Sequence, residues 1–214
     1  MIYQTDFFGN STLGLIGILT ENTCYLPPEL KERQIENIAK LLNVKIKITR
    51  FYNSFLLGLF GAANSKYLFI PSVVSDKEIE GLGKNVLKME SSFNTFGNLI
   101  LCNDKGIVLS PYLAEKKEFL ERETKLKVGI TTIANLPFPG IFALVTNKAG
   151  IVHKNCKDEE LEILEKTLGV NFRKCELYEG FPGAEILANS NNLIVPRYLK
   201  ARELGEIQEA LQIY

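Results

Sequence analysis

Apolar and polar positions along the chain recur in blocks of about forty residues, the period of repeat architectures. Each block has an apolar run around a glycine, a polar turn holding an asparagine, a second apolar run, and a charged stretch with helical spacing. The glycines are Gly14, Gly58, Gly97, Gly140 and Gly183, at intervals of 44, 39, 43 and 43. The turn asparagines are Asn22, Asn64, Asn103, Asn147 and Asn189, at intervals of 42, 39, 44 and 42. Two separate markers thus keep nearly one step.

The third block shows the physical content most clearly. Leu99–Cys102 reads as a short strand. Asn103-Asp104-Lys105-Gly106 reads as a tight turn, because Asn and Gly tolerate the left-handed backbone that such turns use. Ile107–Ser110 returns as a second strand, and Pro111 stops it. Tyr112–Leu126 carries Leu113, Phe119, Leu120 and Leu126 among charges, the stripe of an amphipathic helix. Lys127–Ile133 alternates like a half-buried strand. The unit is therefore strand, turn, strand, helix, strand. By the same reasoning helices are expected at Glu29–Leu42, Asp76–Leu87, Asp158–Leu168 and Leu199–Leu211. Pro27, Pro71 and Pro196 stand where Pro111 does, and Lys154 takes that place in the fourth unit.

The fifth unit lacks its last strand, because the chain ends at Gln212-Ile213-Tyr214. The opening segment Ile2–Asn10 has the character of the strand at Val44–Asn53 and can supply it. That exchange makes sense only if the first and last units are neighbours. The expected architecture is an α/β ring of five repeats, about 11–53, 54–94, 95–135, 136–180 and 181–214 with 1–10, forming one domain over residues 1–214. Closure would remove free sheet edges. The first unit carries an extra residue near Glu21-Asn22, so its asparagine is expected to sit off the ring of the other four.

The stretch Ser54–Val74 has the length of a membrane span, but Asn64, Ser65 and Lys66 lie in its middle. A central lysine costs about 2.5–3.5 kcal/mol on insertion, so two buried strands around a polar turn are the better reading. The N-terminus has neither a basic start nor an apolar core, so no secretory signal is expected. Twenty-five basic residues balance 25 acidic ones. This argues against a protein that holds nucleic acid mainly through phosphates. Four cysteines without close spacing read as reduced thiols of a cytoplasmic protein, and one histidine excludes a multi-histidine metal site. No GxxxxGKS, GxGxxG or HExxH stretch occurs, so no nucleotide, metal or cofactor site is expected.

Gly97–Pro111 (GNLILCNDKGIVLSP) and Ala143–Lys154 (ALVTNKAGIVHK) resemble the archaeal and eukaryotic translation initiation factor 6 family, and all five units match in order. The resemblance implies the pentein fold, a five-bladed α/β propeller. It implies a non-enzymatic, monomeric factor that binds the large ribosomal subunit, prevents premature joining of the small subunit and accompanies late maturation. The implied partner is mainly a ribosomal protein on the intersubunit face, with peripheral ribosomal RNA. No membrane or small-molecule substrate is implied. The absence of residues beyond helix five fits the archaeal type, without regulation through a phosphorylated tail.

The candidate contact residues follow from registers. Phe55, Phe96, Phe138 and Phe181 precede the repeat glycines by one to three residues. They read either as packing between units or as an aromatic-dotted docking face. Loops entering the first strand belong to the ribosome-contacting face in the family, which marks Leu59, Asn98, Phe142 and Ile186. Asn98 is polar in an apolar run, and Glu185 is placed to meet a basic protein. Asn64, Asn103, Asn147 and Asn189 read as turn chemistry, or as the lining of an axial rim.

His153 and Cys156 raise an alternative, because the pentein fold also houses guanidine-modifying enzymes with a Cys–His–carboxylate site. However, His153 holds a strand-end register, which favours a structural histidine and an inert thiol. The acidic start of helix four, from Asp158 to Glu165, reads as a solvated face suited to the helix dipole.

Overall fold

A computed structural model describes residues 1–83, 85–175 and 180–214. Strand β1 (Ile2–Thr5) opens the chain. The first unit follows as α1 (Leu13–Ile16), β2 (Ile18–Leu19), β3 (Thr23–Leu26), α2 (Glu32–Leu42) and β4 (Lys45–Ile48). The second is α3 (Leu57–Phe60), β5 (Ala62–Ala63), β6 (Tyr67–Pro71), α4 (Asp76–Ile79) and β7 (Asn85–Met89). The third is α5 (Phe96–Leu99), β8 (Ile100–Cys102), β9 (Gly106–Leu109), a 3-10 turn over Pro111–Lys116, α6 (Lys117–Thr124) and β10 (Lys127–Ile130). The fourth is α7 (Pro139–Phe142), β11 (Ala143–Val145), β12 (Gly150–His153), α8 (Asp158–Leu168) and β13 (Phe172–Cys175). The fifth is α9 (Pro182–Glu185), β14 (Leu187–Ala188), β15 (Leu193–Pro196) and α10 (Ala201–Leu211).

The described residues form a mixed α/β structure of five three-stranded sheets. In each sheet a central strand pairs antiparallel with the strand before it and parallel with the strand after its helix. Strand β1 fills that last place in the fifth sheet, with Ile2 opposite Leu193 and Thr5 opposite Pro196. A parallel partner needs a crossover; α2, α6 and α8 supply it in the first, third and fourth sheets, and the second is bridged by the single turn α4 and the chain after it.

Among the described residues five apolar clusters lie between consecutive units. Tyr25 packs with Leu68 and Ile70, Phe69 with Leu109 and Leu120, and Val108 with Leu164 and Leu168. Ile151 packs with Ile207 and Leu211, and Leu187 and Ile194 close on Leu26 and Ile38. Each unit shares its core with both neighbours, the last with the first. The stretch 54–74 folds as α3, β5 and β6, and no helix among the described residues is long and apolar enough to cross a membrane.

Several element bounds differ from the sequence reading. The first apolar run of each unit begins with one helical turn, so β8 starts at Ile100 and Leu99 ends α5. Helix two, expected over Asp76–Leu87, stops at Ile79, because Gly81 and Gly83 take positive φ of 72° and 68° and break it. Lys84 of that expected helix lies outside the described residues, as do residues 176–179 of the fourth repeat. Pro111 opens a 3-10 turn, so helix three itself begins at Lys117. The strands expected over Ile2–Asn10, Val44–Asn53 and Lys127–Ile133 end at Thr5, Ile48 and Ile130. Tight turns at Phe7–Asn10, Phe51–Ser54 and Ile133–Leu136 then reverse the chain.

Candidate docking face

The five repeat glycines meet at one end of the molecule. A Cβ built on Gly58, Gly97, Gly140, Gly183 or Gly14 would strike the carbonyl oxygen of Gly14, Gly58, Gly97, Gly140 or Gly183 respectively. The contacts therefore run in a cycle. They are close backbone approaches of the Cα–H to carbonyl kind, which no side chain permits. Behind them the strands β2, β5, β8, β11 and β14 line a cavity of about 100 Å³.

The loops entering the short helices surround this end, and their exposed side chains include five aromatic ones, Phe8, Tyr52, Phe55, Phe93 and Phe181. Phe8 meets Phe55 edge-on at 5.4 Å between ring centroids, and Tyr52 meets Phe60 at 5.6 Å. Phe93 stacks on Tyr112 at 4.6 Å with 6° between the planes, and Tyr112 reaches Phe138 at 6.3 Å. Phe181 packs on Phe142 at 5.5 Å. Phe8, Tyr52, Phe55, Phe93, Tyr112 and Phe181 remain exposed although each has an aromatic neighbour. Aromatic pairs spread over one face are the composition of a protein interface.

The opposite end is polar. The Asn64 Oδ1 accepts from the backbone N–H of Lys66 and Tyr67 at 3.0 and 2.8 Å, and Asn103 and Asn189 repeat the pattern on their own turns. Thr146 makes the equivalent bonds with its Oγ1 in the fourth turn, and Thr20 in the first. The Asn64 amide donates across to the Asn103 carbonyl, and the Asn103 amide donates to the Thr146 and Leu168 carbonyls. The next residues form a second layer: Ser65 donates to Asp104, Asp104 N–H to Asn147, and Ser190 to Glu21. A void of about 20 Å³ lies among these groups, room for one water molecule.

A family profile described as "eIF-6 family" matches residues 2–210. The chain belongs to the eIF-6 family. Translation initiation factor 6 of Methanocaldococcus jannaschii is 34% identical, covering 99% of this chain and 98% of its own. Those of Pyrococcus horikoshii and Methanosarcina acetivorans are 31% and 29% identical; the first covers 98% of each chain, the second 99% of this chain and 98% of its own. Membership assigns this eIF-6 chain to translation initiation.

The structure sorts the expected contact residues of this eIF-6 protein. Leu59 and Asn98 share one register, immediately after the glycine, and both are partly exposed at the glycine end. The Asn98 Oδ1 is buried without a hydrogen-bond partner. The residue in this register in unit four is Ile141, also partly exposed; Phe142 and Ile186 lie one and two positions further on and are buried in core clusters. They are corrected from surface to core residues. Phe96 is likewise a core residue at 0% exposure, one position before its glycine, whereas Phe138 and Phe181 stand two before theirs and reach the surface. Glu185, expected to meet a basic partner, is fully buried. It accepts from the Phe181 N–H at 3.0 Å and from the Tyr198 hydroxyl. The asparagine ring is corrected at Asn147, which sits in the second layer, and Asn22 stands off the ring as expected.

Cys156 is 2% exposed, and burial, with the Glu160 carboxylate beside it, pushes its thiol up to about 12. His153 accepts from the Asn155 N–H through Nδ1 and stands edge-on to Phe142. Burial, aided by the Lys154 charge, lowers its pKa. A buried thiol held in the protonated form is a poor nucleophile. The tight turns at 7–10, 51–54 and 133–136 escaped the sequence reading, although the aromatic pairs Phe7-Phe8 and Phe51-Tyr52 in the first two were visible signals.

Proposed function

We propose that this chain is a closed propeller of the pentein type that docks on the large ribosomal subunit through its glycine end. The observation that carries the reading is the run of exposed aromatic pairs at that end, in a chain of the eIF-6 family. The body of the propeller then stands where the small subunit would approach and blocks joining by its volume. No chemistry is required of it, and its place is the cytoplasm, acting as a monomer, with a link to late maturation of the large subunit. The balance of 25 basic and 25 acidic residues suits a ribosomal protein as the main contact and ribosomal RNA at the edge. Asn98, partly exposed directly after Gly97, is the polar contact candidate of the face.

The test is co-sedimentation with purified archaeal large subunits, followed by addition of small subunits. The protein is expected in the pellet, with fewer joined ribosomes. Affinity is expected to fall only modestly with salt, unlike a contact that releases many counterions. Retention in the supernatant at micromolar concentration overturns the reading. The guanidine-modifying alternative is disfavoured by the buried, protonated Cys156 thiol.

A further inference from the structure

We propose that Glu78 and Glu160 are positioning residues of the docking face, each carboxylate holding one of the left-handed turns on which that face is built. The proposal rests on the docking reading above. Among the described residues three tight turns edge the glycine end, and each pairs its first residue with its fourth: Phe7 with Asn10, Phe51 with Ser54 and Ile133 with Leu136. The first residue is fully buried in every case. The two central residues have positive φ: 59° and 74° at Phe8-Gly9, 55° and 53° at Tyr52-Asn53, and 54° and 63° at Ala134-Asn135. Asn and Gly accept this conformation readily. Phe, Tyr and Ala do so at a cost of about 1–2 kcal/mol each. Such backbone persists only where its surroundings hold it.

The hold comes from the third residue of the helix that follows in the next unit. The Glu160 carboxylate accepts from the Ala134 N–H at 2.8 Å, the Asn135 N–H at 3.0 Å and the Thr132 hydroxyl at 2.6 Å. It also caps its own helix through the Lys157 N–H at 2.9 Å. Four donors use the capacity of one carboxylate. Glu78 repeats the arrangement: it accepts from the Asn53 N–H and from the N–H and hydroxyl of Ser75, while its backbone carbonyl accepts from Thr49. At the first turn the same helix position is Gln34, whose amide donates to the Thr5 hydroxyl at 2.9 Å and the Asp6 carbonyl at 2.6 Å. In the first unit the amide reaches the two residues before the turn and Asp6 accepts from the Gly9 N–H, whereas the two carboxylates bond the N–H groups of the turns themselves. A cap on the helix alone needs only the Ser75 or Lys157 bond. The held turns carry Tyr52 and Leu136, both exposed. Docking on a loose turn must order it first and loses affinity accordingly.

The experiment compares the wild type with Glu160→Ala, Glu160→Gln and Glu165→Ala. Glu165 lies on the same helix and accepts from the Phe172 N–H, away from the turn. Amide exchange is followed by NMR at Ala134 and Asn135, and docking by titrated co-sedimentation with large subunits. In Glu160→Ala, exchange at both amides is expected to rise about tenfold or more, as a charge-assisted bond is lost. Docking is expected to weaken about fivefold. Glu160→Gln keeps one acceptor oxygen and should recover part of both, and Glu165→Ala should leave docking unchanged. Unchanged exchange in Glu160→Ala, or a loosened turn with undiminished docking, overturns the proposal. Equal weakening by Glu165→Ala also overturns it, because the effect would then be one of helix stability. Failure of the wild type to dock is read separately; it removes the docking reading and this proposal with it.

Discussion

The two ends of the molecule join the same five units by opposite means. At the glycine end backbone meets backbone, and the contact exists because there is no side chain. At the polar end side chains reach between turns: Asn64 to Asn103, Asn103 to Thr146, Ser65 to Asp104. The first arrangement is all or nothing, since any added carbon collides with a carbonyl. The second is divisible, because threonine replaces asparagine twice without breaking the pattern of turn bonds. One consequence concerns function. An end closed by bare backbone leaves the surrounding loops to supply the exposed chemistry, and there the aromatic pairs stand.

Breaking the glycine end should have the largest effect. In Gly97→Ala the new methyl meets the Gly58 carbonyl, so two units must part or the ring must distort. A loss of about 3 kcal/mol or more is expected by urea titration, at the upper end for overpacking. A variant as stable as the wild type would show that the glycine contacts are incidental. Asn103→Ala comes next. It removes donors to the Thr146 and Leu168 carbonyls and an acceptor for the Lys105 and Gly106 N–H groups. About 2 kcal/mol or more should be lost, since buried partners are left unsatisfied. Asn147→Ala, in the half-buried second layer, should cost less, and the order of the two distinguishes the layers.

These contrasts also explain what the sequence could convey. The glycine intervals reappear in the polar end once its true members are named, because Thr20, Asn64, Asn103, Thr146 and Asn189 step by 44, 39, 43 and 43. The asparagine intervals did not match, and the mismatch itself marked the two threonines. A threonine hydroxyl does the work of an Asx side chain more weakly, so composition alone hides it. Helix four was readable to its ends, Asp158 and Leu168, because its apolar stripe and Gly169 define it. Registers at the glycine end were blurred because phenylalanines at different offsets from the glycine looked equivalent. Their rotation about one helical turn decides which is core, as at Phe96, and which is surface, as at Phe181. The left-handed turns were illegible because Tyr52 and Ala134 carry no preference for that backbone; the carboxylates that hold them lie 25–26 residues away.

The smallest expected effect sharpens the role of those carboxylates. Burial works to raise the pKa of Glu78 and Glu160, but their hydrogen bonds outweigh it and hold both below the ordinary value of 4.5. The groups around Glu160 include the Cys156 thiol, Asp158 and Lys174, and none of them titrates between pH 5 and 7. A depressed carboxylate contributes its stability above the unfolded pKa and loses it as pH falls through the folded value. Amide exchange at Ala134 and Asn135, corrected for its intrinsic pH dependence, should therefore stay flat from pH 7 to 5 and rise only below 4.5. A rise between pH 6 and 5 would contradict these shifts.

The central claim is that one end of the molecule docks and the other does not. Hydrogen exchange of the protein alone and bound to large subunits tests it most directly. Protection is expected over residues 51–60, 93–98 and 133–141, with the turns at 64–66, 103–105 and 189–192 unchanged. Protection of those polar turns, with the aromatic loops still exchanging freely, would contradict the account.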